Sequence, residues 1–463
     1  MDRYDLVVIG SGPAGEKGAA QAAYFGKRVA LVEARDDLGG ACANTGTLPS
    51  KTLRETALYL SGLRQREIYG LAFASRTEGI GVADFMVHKE FVVRRENERI
   101  ARNLDRHKVE IVRGRARLVA PDQVAVGDRR LGADRILIAT GSSPRRPPEI
   151  PFDDPDVDDS DEVLKLGRIP RSLIVVGGGV IGSEYASVFA ALGTTKVTLV
   201  EKGKRLLAFL DEELGDIMTQ AFQRIGMEVI LGDTVARYGK GPNGVIVTLQ
   251  SGRVLEAERL LAAAGRTGNT GGLGLEEVGV KLDERRLVVV DGSFATTVPG
   301  IYAAGDVVGW PSLASTSMEQ GRVAVCHAFG FPYKTKVEST FPYGLYTIPE
   351  ASTVGETEAE ARKRGADVEV GRAYYRDNAR GQIINDPEGM VKLVFDAGSK
   401  RLLGAHLLGE RATELIHVAQ AVISHGGTID YFIQTVFNYP TLSELYKYAA
   451  YDGLGRLAAR RNA

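Results

Sequence analysis

The sequence predicts an α/β fold, and three observations support this prediction. Two short apolar, β-branched runs each lead directly into a glycine-rich turn, and each turn precedes an apolar stretch of helical length. A further apolar run ending in glutamate follows in both places. The 55 glycines, about 12% of the chain against a usual value of about 7%, are clustered rather than scattered. Strand, turn, helix and strand in this order indicate parallel strands with crossover helices.

The first turn lies at the start of the chain. The apolar run Asp5–Ile9 precedes three glycines with G-x-G-x-x-G spacing, Gly10, Gly12 and Gly15. This spacing suits a tight turn, close approach of the backbone to a pyrophosphate, and close packing of helix on strand. Glu33 ends the next predicted strand, 18 residues after the third glycine, where a carboxylate can accept hydrogen bonds from a ribose. We therefore favour a dinucleotide site over a purely structural turn.

The second turn repeats this pattern. The run Ser172–Val176 leads into Gly177, Gly179 and Gly182, and Glu201 ends the following predicted strand 19 residues after the third glycine. Two such units predict two Rossmann-like dinucleotide-binding domains, and hence two dinucleotides. The Pro- and Asp-rich stretch between them, RRPPEIPFDDPDVDDSDE, is interpreted as a solvated linker rather than a metal site.

Composition excludes several classes of protein. A net charge of -1 argues against a general nucleic-acid binder, and two cysteines in 463 residues argue against a disulfide-rich secreted scaffold. The amino terminus is not typical of a signal peptide, and no apolar stretch reaches the roughly 18 residues of a membrane span. We expect a cytoplasmic protein without membrane association. The six histidines show no metal-ligand spacing, so we expect no metal.

Two further motifs indicate a family. Thr297–Asp306 (TVPGIYAAGD) resembles the second flavin fingerprint of the flavoprotein disulfide reductases, and residues 139–141 (ATG) resemble their strand-end motif. The resemblance covers essentially the whole chain. It implies FAD in the first fold, with Thr140, Gly141 and Asp306 near the flavin nucleotide, and a nicotinamide dinucleotide in the second fold.

The same resemblance implies a domain organisation. It places an FAD-binding domain at residues 1–150 and 275–340, an NAD(P)-binding domain at 151–274, and a carboxyl-terminal α+β dimerisation domain at 341–463, giving a homodimer. In the last domain Leu415, Ala419, Val422 and Ile423 recur at helical spacing. This apolar face suits either internal packing or a dimer contact.

The chain departs from these reductases at two places. Their redox pair, G-G-x-C-x-x-x-x-C, is present here with Gly40 and Cys42, but Thr47 occupies the position of the second cysteine. A hydroxyl cannot form a disulfide, and the other thiol, Cys326, is in a distant segment. Tyr439 stands where the family has the histidine of its acid–base dyad, with Glu444 as the acid. Both changes argue against disulfide reduction.

The residues around the flavin are matched by resemblance. Gly40, Cys42 and Lys51 lie in the segment that is placed beside the flavin in the family, and Lys51 would place positive charge near the flavin N5–O4 edge. Glu184 would orient the nicotinamide and balance Lys51. The alternative is that Lys51 and Glu184 are two ordinary surface charges. Cys42 either forms a thiolate that interacts with the flavin or serves only in packing.

One branch of the superfamily, the soluble pyridine nucleotide transhydrogenases, shares both departures. The similar stretches are the segment from Cys42 to Lys51, Arg205–Asp211, Gly305–Ser315 and Phe437–Thr441. The resemblance implies hydride transfer from NADPH to NAD+ through FAD in a ping-pong scheme. An NAD(P)H diaphorase or quinone reductase is the alternative. A nucleotide-binding sensor or scaffold without turnover is a third possibility.

Nucleotide preference rests on one loop. Glu201 suits the ribose hydroxyls of NAD(H), because a carboxylate repels a 2′-phosphate. Lys202, Lys204 and Arg205 follow at once and can pair with that phosphate if they turn inward. If they are solvated instead, the site is specific for NAD. The segment that begins at Gly265 is expected near the dinucleotides, on family precedent.

Overall fold

The computed structural model describes residues 2–62 and 81–462. In these ranges the strands are β1 Asp2–Ile9, β2 Val29–Glu33, β3 Glu110–Arg113, β4 Ala116–Ala120, β5 Gln123–Val126, β6 Arg129–Ile138, β7 Ser142–Pro144, β8 Val157–Asp158, β9 Ser172–Val176, β10 Lys196–Glu201, β11 Glu228–Leu231, β12 Val235–Gly241, β13 Gly244–Leu249, β14 Val254–Ala257, β15 Arg259–Ala262, β16 Arg266–Gly268, β17 Ile301–Ala303, β18 Tyr343–Leu345, β19 Ala351–Gly355, β20 Val368–Tyr374, β21 Met390–Asp396 and β22 Leu402–Leu408.

The α-helices in the same ranges are α1 Pro13–Tyr24, α2 Gly40–Asn44, α3 Thr47–Ser61, α4 Val82–Arg106, α5 Val180–Leu192, α6 Glu212–Arg224, α7 Ala314–Phe329, α8 Glu358–Lys363, α9 Ala379–Ile384, α10 Ala412–Ser424, α11 Asp430–Gln434 and α12 Leu445–Arg461. None of the helices in the described part of the chain is both long enough and apolar enough to span a membrane.

The chain divides into two compact units. Unit 1 comprises Met1–Thr52, Met86–Arg146 and Ala264–Glu338, and unit 2 comprises Leu53–Phe85, Pro147–Ala263 and Ser339–Ala463. Residues 264–274, which the sequence analysis placed in the second domain, belong to unit 1. There β16 pairs with β7 in antiparallel register, with Thr267 opposite Ser143. The division into three domains stays a prediction.

Unit 1 is built on a sheet in the order β3-β2-β1-β6-β5-β4, with β17 also pairing with β6. The strands β3, β2, β1, β6 and β17 pair in parallel, whereas β6, β5 and β4 form an antiparallel meander. The central stretches of the parallel strands are apolar because both faces of the sheet are covered there, and Val7, Leu31 and Ile136 are completely buried. The glycine turn after β1 lies at the carboxyl edge of this sheet.

Unit 2 contains a second parallel sheet, in the order β11-β10-β9-β15-β8, and a small antiparallel sheet, β12-β13-β14. The parallel sheet repeats the central arrangement of unit 1, because β9, β10 and β15 correspond to β1, β2 and β6. The predicted strands Ser172–Val176 and 197–201 are both present, the second extended by Lys196. The predicted α/β class with two Rossmann-like folds is confirmed.

The carboxyl-terminal part of unit 2 forms an antiparallel sheet, β18-β19-β22-β21-β20, with helices α10 and α12 packed against it. This is the predicted α+β region. The apolar face of α10 packs into its core, with Ala419 and Val422 buried and Leu415 and Ile423 partly buried. Of the two roles expected for this face, internal packing is the one that the structure shows.

Candidate active site

The two glycine turns have nearly the same geometry. Gly10 has φ of +103° and Gly177 has φ of +107°, values that favour glycine. A Cβ on Gly10 would lie 2.4 Å from the Ala139 carbonyl oxygen, and one on Gly177 would lie 2.6 Å from that of Ala263. Any other residue would therefore clash with the neighbouring parallel strand. Both first glycines are where the sequence predicted a tight turn.

The third glycines bring helix and strand together. A Cβ on Gly15 would lie 1.9 Å from the carbonyl oxygen of Gly10, and the same distance separates a Cβ on Gly182 from the Gly177 oxygen. The middle glycines, Gly12 and Gly179, instead face open space, with nothing within 4 Å of a Cβ. Each turn thus leaves room beside its middle glycine, at the amino terminus of α1 or α5, where backbone amides and the helix dipole favour a phosphate.

Each turn also holds the glutamate that ends the strand after its helix, Glu33 at the end of β2 and Glu201 at the end of β10. In unit 1, Glu33 Oε2 accepts hydrogen bonds from the Ser11 amide at 3.0 Å and the Ser11 hydroxyl at 2.6 Å. Its Oε1 accepts from the Arg35 amide at 2.9 Å. The Ser11 hydroxyl in turn accepts from the Gly39 amide at 3.0 Å. The carboxylate is therefore fixed at the turn, with only 8% of the residue exposed.

Glu201 is held in the same way in unit 2. Its Oε2 accepts from the Gly178 amide at 2.6 Å and its Oε1 from the Gly203 amide at 2.7 Å. A side chain on Gly178 has no room, because a Cβ there would lie 2.5 Å from the side chain of Leu206. This close contact explains why glycine replaces the serine of the first turn.

The flavin-fingerprint segment joins the strand-end motif within unit 1. The Ser142 hydroxyl donates to Asp306 Oδ2 at 2.6 Å and accepts from Arg266 Nε at 2.8 Å. Thr140 and Asn269 exchange two hydrogen bonds: the Thr140 hydroxyl donates to the Asn269 carbonyl oxygen at 2.8 Å, and the Asn269 side-chain amide donates to the Thr140 carbonyl oxygen at 2.9 Å. These contacts gather three chain segments around Asp306.

Two glycines near these contacts, Gly141 and Gly265, were predicted to bind the dinucleotides. Gly141 has φ of +66° and faces open space, and its carbonyl oxygen accepts from the backbone amide of Asn269 at 2.9 Å. Gly265, expected at the nicotinamide nucleotide, is an exposed residue of unit 1, and its carbonyl oxygen accepts from the Arg145 amide at 2.9 Å.

Cys42 lies in the short helix α2 and Thr47 begins α3. Burial raises the pKa of the Cys42 thiol, and a hydrogen bond from Thr47 and the charge of Lys51 only partly oppose that rise. The thiol form is therefore favoured over a thiolate at neutral pH. Gly40, at the start of α2, approaches the first turn, since a Cβ there would lie 3.0 Å from the Gly12 Cα.

The two charges of the predicted pair belong to different units. In unit 1, Lys51 Nζ donates to the Ser50 hydroxyl at 3.2 Å. In unit 2, Glu184 is 5% exposed on helix α5, and its Oε1 accepts from the Tyr346 amide at 3.0 Å. The balance between Lys51 and Glu184 stays a prediction.

The cations after Glu201 are all exposed. Arg205 pairs with two carboxylates of helix α6, because Nη1 lies 2.8 Å from Glu212 Oε1 and Nε lies 3.2 Å from Asp216 Oδ1. Of the two states that the sequence left open for this arginine, inward-facing or solvated, the structure shows an exposed side chain that pairs with carboxylates of its own unit. Lys202 and Lys204 remain exposed beside it.

Residues 4–321 match the family described as pyridine nucleotide-disulphide oxidoreductase, and residues 341–450 match its dimerisation domain. The chain belongs to this family. A soluble pyridine nucleotide transhydrogenase from Mycobacterium bovis is 45% identical to it, over 99% of each chain. Among solved structures, the HOCl-induced flavoprotein disulfide reductase RclA from Escherichia coli has a TM-score of 0.87 at 30% identity, over 97% of this chain and 99% of the other. LpdA from Mycobacterium tuberculosis has a TM-score of 0.88 at 28% identity, with the same coverage.

Membership of the pyridine nucleotide-disulphide oxidoreductase family implies FAD and nicotinamide dinucleotides, and the first turn fits a flavin nucleotide. There is open space beside Gly12 and Gly141, and Gly12, the cap residue of α1, makes no side-chain capping hydrogen bond among the described residues. The backbone amides of the first turn of α1 after Pro13 have no acceptor within the helix and can bind a phosphate. The Thr45 hydroxyl oxygen, which follows α2, is buried without a hydrogen-bond partner among the described residues. The described residues contain no cluster of His, Cys, Asp and Glu that could hold a metal ion.

For a pyridine nucleotide-disulphide oxidoreductase, the thiol arrangement is unusual. Thr47, which partly opposes the rise in the pKa of the Cys42 thiol, occupies the position where a second cysteine would complete a redox pair. Cys42 and Cys326 are both free, and Cys326 is buried. Tyr439, at the position expected for a histidine, is 73% exposed.

Sequence reasoning missed several residues that hold the site of this oxidoreductase. In unit 1, Ser11 bonds Glu33 and Ser142 bonds Asp306. In unit 2, the Tyr346 amide bonds Glu184, and Glu212 and Asp216 pair with Arg205. Ser11 had a detectable signal, because it is the second residue of the first glycine turn. The acidic helix start DEELGD after Arg205 was a second signal.

Proposed function

We propose that this chain is an FAD-dependent soluble NAD(P)+ transhydrogenase. It takes a hydride from NADPH, which leaves as NADP+, and delivers that hydride to NAD+, which leaves as NADH. When bound, FAD supplies the two-electron carrier between the two half-reactions. Both nucleotides use one site in turn, so the scheme is ping-pong.

The observation that carries this proposal is the repeated glycine turn with its fixed carboxylate. Glu33 and Glu201 each accept hydrogen bonds from backbone amides of a turn whose middle glycine faces open space. A carboxylate fixed at that position accepts the hydroxyls of an adenosine ribose, while the helix amino terminus favours the pyrophosphate. The chain therefore has two dinucleotide folds, one for a resident flavin and one for a nicotinamide nucleotide.

The thiol arrangement supports hydride transfer over disulfide reduction. Cys42 has a hydroxyl neighbour, Thr47, and burial raises the pKa of its thiol. A neutral thiol is a poor nucleophile and has no second sulfur beside it. Tyr439 is a phenol in place of an imidazole, and hydride transfer between two nicotinamides through a flavin needs no thiol acid–base group. The name of the Mycobacterium bovis relative agrees with this proposal.

We assign roles to the site residues on the same basis. The proposed FAD-binding residues are Gly10, Gly12, Gly15, Glu33, Gly40, Cys42, Lys51, Thr140, Gly141 and Asp306. The proposed NAD(P)-binding residues are Gly177, Gly179, Gly182, Glu184, Glu201, Lys202, Arg205 and Gly265. Lys51 places positive charge at the flavin, and Glu184, whose carboxylate is oriented by the Tyr346 amide, positions the nicotinamide.

The carboxyl-terminal part supports a homodimer. It matches the dimerisation domain of the family, and it carries large apolar and aromatic side chains that are at least half exposed in the single chain. These include Ile383, Tyr431, Val436, Tyr439, Tyr448 and Tyr451. A second copy of this chain would remove such side chains from water.

The proposal is tested by anaerobic stopped-flow absorbance of the flavin. The protein is reduced with one equivalent of NADPH and then mixed with NAD+ in one series and with a benzoquinone in another. Rapid reoxidation by NAD+, with NADH formed in equal amount, is the expected result. Reoxidation by the quinone alone would move the assignment to a diaphorase or quinone reductase. Reduction by NADH but not by NADPH would contradict the use of both nucleotides.

A further inference from the structure

Arg205 is paired with two acidic side chains of helix α6. Glu212 and Asp216 are four residues apart, so they lie on the same face of the helix, and both contact the Arg205 guanidinium. The three side chains are all exposed by about two fifths or more. The cluster thus faces water, where a ligand has access to the arginine.

The segment that carries Arg205 is anchored to the second glycine turn. The Leu207 amide donates to the Gly178 carbonyl oxygen at 3.1 Å, and Leu206 and Leu207 are buried. The Gly178 amide in turn donates to Glu201. Arg205 therefore belongs to the same small loop as the carboxylate that is proposed to accept the ribose hydroxyls.

The amino terminus of helix α6 is also fixed. Asp211 caps it, accepting from the Glu213 amide at 3.2 Å, and the buried Lys392 lies 2.9 Å from Asp211 Oδ1. Arg372 Nε contacts both oxygens of Glu213, at 2.9 and 2.8 Å. Since the first turn of α6 is held by these contacts, Glu212 and Asp216 are presented to Arg205 from a rigid element.

We infer that Glu212 and Asp216 are specificity-determining residues, because they compete with the 2′-phosphate of NADP(H) for Arg205. This inference rests on the proposed function and concerns the same nucleotide site. A 2′-phosphate must displace one or both carboxylates before it can pair with the guanidinium. NAD(H) carries a hydroxyl instead of a phosphate at the 2′ position, so its binding does not require either carboxylate to leave Arg205. The two acids thereby lower the affinity for NADP(H) without changing that for NAD(H).

Such competition suits an enzyme that must release both nucleotides. An arginine without acidic neighbours would bind the phosphate dianion tightly and retain NADP+ after hydride transfer. Asp211 and Glu213 already pair with Lys392 and Arg372. Apart from these two, the loop and the start of α6 carry three cations and three carboxylates: Lys202, Lys204, Arg205, Glu201, Glu212 and Asp216. This nearly neutral set tolerates both a ribose hydroxyl and a phosphate.

The test measures the affinity of the FAD-loaded protein for adenosine 2′,5′-bisphosphate and for adenosine 5′-monophosphate by calorimetric titration. Glu212→Gln and Asp216→Asn should each tighten binding of the bisphosphate, and the double variant should tighten it by about fivefold or more. Binding of the monophosphate should not change. With Arg205→Ala added to the double variant, the gain should disappear.

The matched control is Glu388→Gln. Glu388 pairs with Arg224, the last residue of the same helix, so the substitution frees an arginine at the far end of α6. Thirteen helical residues span roughly 18 Å, about twice the screening length at physiological salt. An equal gain in Glu388→Gln, or a gain that persists without Arg205, would overturn the inference, as would unchanged affinity in the double variant.

Stopped-flow reduction by NADPH separates this inference from the proposed function. If wild-type flavin is reduced by NADH alone, the use of both nucleotides fails. In that case, the variants of Glu212 and Asp216 can still bind the bisphosphate more tightly than the wild type. If that gain requires Arg205, it supports competition between the two acids and a 2′-phosphate. If the wild type uses both nucleotides but the acid variants bind the bisphosphate no more tightly, the competition alone is overturned.

Discussion

Glu201 Oε2 accepts a hydrogen bond from the Gly178 amide at 2.6 Å, which ties the end of strand β10 to the second glycine turn. Glu33 has the same relationship to the Ser11 amide in the first turn. The acid of each dinucleotide fold is therefore fixed by the loop that is proposed to hold the phosphates. Because each carboxylate is already oriented before a ligand binds, less conformational entropy is lost on binding.

Glu201→Gln should weaken NAD+ binding and leave the FAD content unchanged. Both carboxylate oxygens accept amide hydrogens, whereas a glutamine has one acceptor oxygen, so one backbone amide loses its partner. We expect a loss of about tenfold in NAD+ affinity, from the cost of an unpaired group. The measurement is a titration of NAD+ together with the flavin-to-protein absorbance ratio.

Glu33→Gln is the reciprocal control for that substitution. It removes the corresponding acceptor in unit 1, so it should lower FAD retention during dialysis while the refilled protein binds NAD+ normally. A pair of variants that both lose FAD, or both lose NAD+ affinity, would contradict the assignment of one dinucleotide to each turn.

Lys51→Ala should slow flavin reduction more than it weakens FAD retention. A positive charge near the flavin favours negative charge on the reduced ring, and its loss is expected to slow reduction by NADPH at least tenfold. Stopped-flow absorbance gives the rate, and Lys27→Ala provides a control that removes the same charge elsewhere in unit 1. An unchanged reduction rate in Lys51→Ala would exclude the role assigned to this residue.

Thr47→Val should make Cys42 less reactive. The Thr47 hydrogen bond lowers the pKa of the thiol against the larger effect of burial, so its removal raises that pKa further. At fixed pH near 8 the thiolate fraction falls, and we expect alkylation by iodoacetamide to slow about threefold. Mass spectrometry identifies the modified residue, with Cys42→Ser as the unreactive reference.

The Cys42→Ser variant also tests the role of the thiol in turnover. Because the proposed hydride transfer uses no sulfur, Cys42→Ser should retain most of the transhydrogenase rate. A collapse of that rate in protein that keeps its FAD would show that the thiol takes part in the reaction.

Lys392→Met should destabilise the protein. Lys392 is 3% exposed and pairs with Asp211, which is 2% exposed. Burial alone would lower the pKa of the ammonium, but hydrogen bonds to Glu358 and Asp211 outweigh that effect and raise it. Removing the cation leaves a buried carboxylate unpaired, at a cost of about 3 kcal/mol in the free energy of unfolding.

Denaturant titration of the FAD-loaded protein measures that loss. Lys240→Met is the matched control, because Lys240 forms its ion pairs with Asp154 and Asp156 at an exposed position. Adding Asp211→Asn to Lys392→Met should restore part of the stability, since asparagine removes the buried charge and still caps helix α6. A loss no greater in Lys392→Met than in Lys240→Met would refute the buried pair as a stabilising element.

His406 should make stability depend on pH in the mildly acidic range. The residue is fully buried, and burial lowers the pKa of its imidazole below the usual 6.5. As the pH falls through 6.5, the unfolded chain binds a proton at this histidine and the folded chain does not. The free energy of unfolding therefore decreases as the pH decreases.

The expected contribution is at most about 1.4 kcal/mol per pH unit, lost as the pH falls below 6.5 toward the lower pKa of the folded state. His406→Asn keeps a polar group near Thr353 and Glu356 but cannot titrate there. Its unfolding free energy should vary less between pH 7 and pH 5. Parallel pH profiles for the two proteins would rule out this contribution.

The features that the sequence determined by itself are local ones. Both glycine turns, the strand-end acids Glu33 and Glu201, and the replacement of a cysteine by Thr47 depend on contiguous residues with fixed spacing. Each pattern has a geometry set by backbone sterics, since only glycine tolerates the positive φ at Gly10 and the contact at Gly15. The fold class followed directly from repeating such a pattern.

Tertiary structure alone decided the partners of the functional side chains. Tyr346 bonds Glu184 across 162 residues, Ser142 bonds Asp306 across 164, and Lys392 pairs with Asp211 across 181. Strand β21, MVKLVFD, carries Lys392 among apolar residues, and nothing in its local sequence points to Asp211 as the counterion. A buried polar group needs a partner wherever packing provides one, and packing brings together segments whose spacing in the chain carries no pattern.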